Sequence, residues 1–171
     1  TRSFNAFSSI DYPETAVFRD TRLVTFLRRP TDQPPVQFYE RLEPAVFVLR
    51  LVPGMRADII PLLAPHYRAL VLESFGVGGL PGGEHGEMFA ALRRWCESGR
   101  LAVFTTQVPH EGCDLAVYEV GRAVGELPGV LEARDMTPEA VAVKLMWALG
   151  QTEDREKAAR LFETPIEYDI M

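Results

Sequence analysis

A chain of 171 residues, 47% apolar and 25% charged, has the make-up of one globular α/β domain with its own core and an appended arm, and is too short for two full domains of ordinary size. Its formal net charge of −6 argues against direct contact with nucleic acid, because a phosphate backbone calls for a basic face and the only basic clusters are Arg28-Arg29 and Arg93-Arg94. Apolar runs such as Pro44 to Leu49 are far too short to span a bilayer, so no membrane segment is expected.

The chain opens on Thr1-Arg2-Ser3, with neither an initiator Met nor a charged-then-apolar leader; no signal peptide is read, and a removed N-terminal portion is the expectation. Pro13, Pro30, Pro34 and Pro35 punctuate the stretch that follows, and the run Leu23 to Leu27 alone has strand alternation. Proline blocks helices and removes ladder donors, so residues 1–43 read as a linker with short edge strands or a hairpin.

From residue 44 the pattern turns to alternating strands and helices. Ala45 to Leu49 is a near-continuous apolar run suited to a strand buried on both faces, ended by Pro53-Gly54. A short helix is expected over Ala57 to Leu63, then a buried strand over Ala69 to Leu72 that opens into Gly76-Val77-Gly78-Gly79. Glu84 to Ser98 puts Met88, Phe89, Leu92, Trp95 and Cys96 on one helical face, with Gly99 placed for a left-handed C-terminal residue. Cys96 and Cys113 are expected to be reduced thiols, since no spacing demands their pairing.

Leu101 to Phe104 reads as a third strand, Tyr118 to Gly125 as a short helix and Val130 to Ala133 as a fourth strand. Thr137 is placed to cap the next helix, Pro138 to occupy its first turn and Gly150 to stop it. Val141, Leu145, Met146, Trp147 and Leu149 surround that helix with apolar groups, which predicts deep burial. A last helix spans about Glu153 to Phe162, ahead of an acidic tail. This alternation predicts a small Rossmann-like or flavodoxin-like domain over 44–171: a parallel sheet of about four strands flanked by helices.

Ligands of such sheets bind outside the carboxyl ends of the strands, which directs attention to Glu73 through Gly79 and to Thr105-Thr106-Gln107. The glycines at 76, 78, 79, 82 and 83 do not give the dinucleotide spacing, and Pro81 stands where that pattern wants glycine. His66, His85 and His110 belong to no metal-ligand spacing, and His110 to Asp114 offers too few partners for zinc, so no metal and no cofactor are expected. Ser74 and Cys113 have no neighbouring base that would make either a nucleophile, so no catalytic residue is expected in this chain.

Taken together, Leu70-Val71-Leu72-Glu73-Ser74-Phe75-Gly76-Val77-Gly78, Thr105-Thr106-Gln107, Tyr118-Glu119-Val120-Gly121-Arg122 and Asp135-Met136-Thr137-Pro138-Glu139-Ala140 resemble the C-terminal half of bacterial and archaeal type I (cytoplasmic-type) L-asparaginases. Lys144 to Gly150 strengthens the likeness, and Ser3 to Ser9 resembles the stretch that leaves the N-terminal domain of that family.

The resemblance implies a hydrolase that converts L-asparagine and water to L-aspartate and ammonia by double displacement, with the nucleophilic Thr on an N-terminal domain. The family's Thr-Gly-Gly-Thr motif is absent here, and Thr31-Asp32 lies in the Pro-rich arm without a preceding buried strand. This chain alone is therefore expected to be inactive. Its implied role is to wall the substrate site and form contacts between protomers through Tyr118, Ser74, Gly76, Gly78, Thr106 and Gln107. The implied partners are the N-terminal domain, L-asparagine and further copies in a dimer or tetramer, in the cytoplasm.

Allosteric enteric members bind a second asparagine through an Arg after the second strand and a Cys after the third-strand Thr-Gln; this sequence has Glu73 and Val108 there, which implies absent or altered allostery. Two other readings stand beside this one. The first is the asparaginase-like component of an archaeal tRNA amidotransferase, and the second a non-catalytic regulatory domain that binds a small molecule.

Overall fold

The computed structural model describes residues 13–27, 35–76, 78–83, 85–108 and 110–170. The stretch Ser3 to Ser9, Thr31-Asp32, Val77 and Glu84 lie outside them. The chain divides into two compact units, Thr1–Glu40 and Arg41–Met171. In the first, β1 (Ala16–Arg19) and β2 (Arg22–Thr25) pair as an antiparallel hairpin with Val17 opposite Val24. The tight return is made at Asp20, which adopts φ +53. Phe18 and Leu23, also opposite one another, are exposed.

The second unit holds a parallel sheet of four strands: β3 (Val46–Arg50), β4 (Ala69–Ser74), β5 (Leu101–Thr106) and β6 (Val130–Glu132), in that spatial order. Between them run α1 (Ile59–Leu63), α2 (Glu87–Glu97) and α3 (Glu119–Gly125). After β6 come α4 (Pro138–Gln151) and α5 (Arg155–Glu163).

Strand alternation sorts the core into two layers. Leu70, Leu72, Ala102 and Phe104 face Ile60 of α1, Met88 and Leu92 of α2 and Val124 of α3. Ala69, Val71, Leu101 and Val103 face Val141 and Leu145 of α4 and Ala158 and Phe162 of α5. All three crossover helices thus share one face, as expected when the strand order advances in a single direction with crossovers of one hand. The opposite face is covered by the two terminal helices. Full burial of side chains such as Leu145 and Phe162 contributes about 1.5–3 kcal/mol each.

Local chemistry sets the element ends. Gly99 takes φ +88 directly after α2, where a side chain would be strained. The Thr137 hydroxyl accepts from Ala140 N–H at 3.4 Å, and Asp154 caps α5 by accepting from Glu156 and Lys157 N–H at 2.9 and 3.1 Å. Beyond α5 the chain returns to α4: Lys144 donates to Thr164 O at 3.0 Å and pairs with Asp169 at 2.8 Å.

Three expectations are corrected. β3 is not buried on both faces, because it is an edge strand and Val48 is 40% exposed. Gly150 does not stop α4, which runs on to Gln151. A Cβ at Gly150 would sit 2.6 Å from Arg41 O, so the glycine serves a close approach of backbone rather than a helix stop. Met146 and Trp147 are also only partly buried, in contrast to Val141, Leu145 and Leu149.

Candidate functional site

β4 and β5 end in register, with Glu73 beside Thr105 and Ser74 beside Thr106. Just past them the chain makes two loops that carry most of the sequence-expected site. Phe75 and Gly79 pair across a turn: Phe75 N–H donates to Gly79 O at 3.2 Å and Gly79 N–H to Phe75 O at 2.8 Å. Gly76 has φ +51, a conformation that favours glycine, and a Cβ there would lie 3.8 Å from the Tyr118 hydroxyl. Tyr118 directly precedes α3 and is 49% exposed. The space beside Gly78 is filled by Leu115, whose side chain would be 2.9 Å from an added Cβ.

The other members of the group lie beneath this surface. Ser74 is fully buried and donates its hydroxyl proton to Thr105 O at 2.8 Å, so it has no base to activate it and no access to a substrate. Thr106 donates to Gly76 O and accepts from Val108 N–H at 3.0 Å. Gln107 uses both amide protons on carbonyls, Leu51 O at 2.6 Å and Glu73 O at 2.8 Å, while its oxygen accepts from Arg50 Nε at 3.3 Å. The structure therefore brings Tyr118 and Gly76 together at the surface, and places Ser74, Thr106 and Gln107 as the ties that hold the strand ends.

Glu73 ion-pairs with Arg50 at 3.6 Å. The two are register partners on adjacent parallel strands, a relation that emerges once β3 and β4 are aligned. Beside Glu73, the Thr105 hydroxyl is buried and finds no hydrogen-bond partner among the described residues. Sequence reasoning missed Arg50 and Leu115; an Arg as the last residue of the strand preceding Glu73 was the available signal for the first.

Two cavities flank the sheet ends. One, of about 570 Å³, is lined by Pro53, Met55, Phe75, Leu80 and Met88, with Arg56 and Glu87 also on its wall. The other, of about 330 Å³, lies at the opposite ends of the strands beside Arg68, Arg100 and Arg155. There the guanidinium groups serve the fold. Arg100 donates to Ala64 O and Tyr67 O past the end of α1, at 2.8 and 3.2 Å, and Arg155 to Cys96 O of α2 at 3.2 Å.

His66, His85 and His110 are all exposed. Among the described residues no group of three or more His, Cys, Asp or Glu could hold a metal ion, and no helix is long and apolar enough to cross a membrane. Cys96 and Cys113 are both buried.

Residues 45–162 match the family described as the glutaminase/asparaginase C-terminal domain. The chain is 38% identical over 167 residues to L-asparaginase of Thermococcus kodakarensis, covering 97% of this chain and 50% of that protein. It is 36% identical over 166 residues to a component of the glutamyl-tRNA(Gln) amidotransferase of Metallosphaera sedula, covering 94% of this chain and 36% of that one. Among solved structures, the thermostable L-asparaginase from T. kodakarensis superposes with a TM-score of 0.90 at 35% identity, over 99% of this chain and 51% of that one. L-asparaginase I from Vibrio cholerae gives 0.82 at 26% identity, over 97% and 50%. The chain thus spans about half the length of these asparaginases.

Proposed function

The chain belongs to the glutaminase/asparaginase C-terminal domain family, and from that premise we propose that it works as the C-terminal half of an L-asparaginase, converting L-asparagine and water to L-aspartate and ammonia together with an N-terminal half. The observation that carries this reading is the alignment of 97% of the chain with one half of an L-asparaginase.

In this reading the nucleophile belongs to the N-terminal half. This half contributes Tyr118 and the Gly76 and Gly78 turn as a wall of the substrate site, with Ser74, Thr106 and Gln107 holding that wall in place. A fixed wall aids the reaction by excluding water and orienting the bound amide, effects that reach several kcal/mol without any reacting group. The enzyme assembles as a homo-oligomer in the cytoplasm, where two buried reduced thiols are in keeping with the redox state.

Glu73 and Val108 support the further reading that asparagine does not act as an allosteric ligand. A carboxylate already paired with Arg50 offers nothing to a ligand carboxylate. Hyperbolic asparagine kinetics are expected, and a sigmoidal curve would count against this part.

The test joins this chain to the N-terminal half of its own protein and measures ammonia release from asparagine, with this chain alone as control. Release by the joined protein only is expected. Release by this chain alone, or none from either, would overturn the reading. The likeness to the amidotransferase component makes a second reading specific enough to test: ammonia release that requires a glutamyl-tRNA and a partner protein would favour it.

A further inference from the structure

Thr106, the last residue of β5, stands at the junction of the two loops past the sheet. Its hydroxyl proton goes to Gly76 O and its lone pair receives Val108 N–H at 3.0 Å. At 9% exposure the side chain is shielded from solvent, so water does not readily replace either bond. Phe75 and Gly79 are bonded to one another through their backbones, and Thr106 adds a side-chain tie from Gly76 to the sheet.

Gly76 is also where the turn meets Tyr118. Gly76 has φ +51, and a Cβ built there would lie 3.8 Å from the Tyr118 hydroxyl and 3.9 Å from its Cε2, so the bare edge of Gly76 faces that aromatic. A shift of Gly76 therefore changes the backbone that Tyr118 faces, and Tyr118 itself is half-exposed at the head of α3. We propose that Thr106 is a positioning residue: by holding the Gly76 peptide, its hydroxyl sets where Tyr118 stands in the wall of the substrate site. The proposal rests on the reading of Tyr118 as part of that wall. It assigns Thr106 no contact with the substrate.

Valine keeps the shape of threonine and removes the oxygen, whereas serine keeps the oxygen. In the full-length protein, Thr106→Val is expected to raise KM for asparagine about tenfold with kcat within about threefold, and Thr106→Ser to restore KM to within about twofold of the parent. Hydrogen exchange provides a readout independent of activity. Backbone amides in peptides spanning residues 75–80 and 107–112 should exchange at least about tenfold faster in Thr106→Val and near the parental rate in Thr106→Ser.

Unchanged exchange in Thr106→Val, or a serine variant that behaves like the valine one, would overturn the proposal. So would a valine variant whose kcat and melting temperature fall while KM holds. If the unsubstituted full-length protein releases no ammonia, the functional reading has failed; the exchange pattern then still decides whether Thr106 holds the two loops.

Discussion

Lys144 Nζ lies 2.8 Å from Asp169 Oδ2, an ion pair between the middle of α4 and the last residues of the chain. The Lys144 side chain is 6% exposed and the Asp169 side chain 29%. Removal of either partner is therefore not equivalent. Asp169→Ala leaves a buried ammonium without its carboxylate, beside Thr164 O and the Phe162 ring, and is expected to cost about 2–3 kcal/mol. Lys144→Met keeps the apolar stem and leaves a carboxylate that water can reach, at about 1 kcal/mol. Urea unfolding of both variants checks the order, and a greater loss for Lys144→Met would refute it.

Gly150→Ala would ordinarily favour a helix by about 1 kcal/mol. Here the added methyl meets Arg41 O at 2.6 Å and Leu42 Cα at 2.9 Å. Overlap with backbone outweighs propensity, and a net loss of about 1–3 kcal/mol is expected in thermal or urea unfolding. A stabilised variant would show that residues 41–42 yield freely.

Glu43 accepts from Ala45 N–H at 3.0 Å and from Arg68 at 3.0 Å, and the backbone bond first, then the guanidinium, hold its carboxyl below the ordinary value of 4.5. Folding thus favours the ionised form. Its contribution is present in full above the unfolded value and is lost as pH falls through the lower folded one. The stability difference between the parent and Glu43→Gln should be largest near neutrality and shrink below pH 4.5. A difference that grows with acidification would contradict the assigned sign.

Burial pushes the Cys113 thiol up to about 12 and the Cys96 thiol up to about 11. Thiolate is the reactive form, so neither should label with a disulfide reagent at pH 8 in the folded protein, and raising the pH to 9 should add little. Both should label on addition of denaturant. Fast labelling without denaturant would mean that the core around either thiol opens readily.

Sequence reached the layers of this fold further than its site. β4 and β5 are legible because every residue from Ala69 to Leu72 and from Leu101 to Phe104 is apolar, as central strands require. β3 has the same apolar character but lies at an edge, and edge position depends on strand order, which composition does not carry. The family likeness picked out Tyr118, Gly76 and Thr106 as a group. It did not separate the exposed pair from the ties behind it, because a side chain such as Gln107 finds its partners 56 and 34 residues away. Lys144 and Asp169 were illegible for a related reason: a lysine amid apolar helix residues reads as a solvated charge until the returning C-terminal segment is placed beside it.

The one-sided placement of α1, α2 and α3 bears on how the domain is made. Synthesis proceeds from the N-terminus, so the four strands of the parallel sheet and their three crossover helices emerge from the ribosome before α4 and α5 do. Val46, Ala69, Val71, Leu101 and Val103 then form an apolar sheet face that nothing in the emerged unit covers. That face stays sticky until α4 and α5 arrive, which makes these two helices a safeguard against misassembly as well as the cover of half of the core.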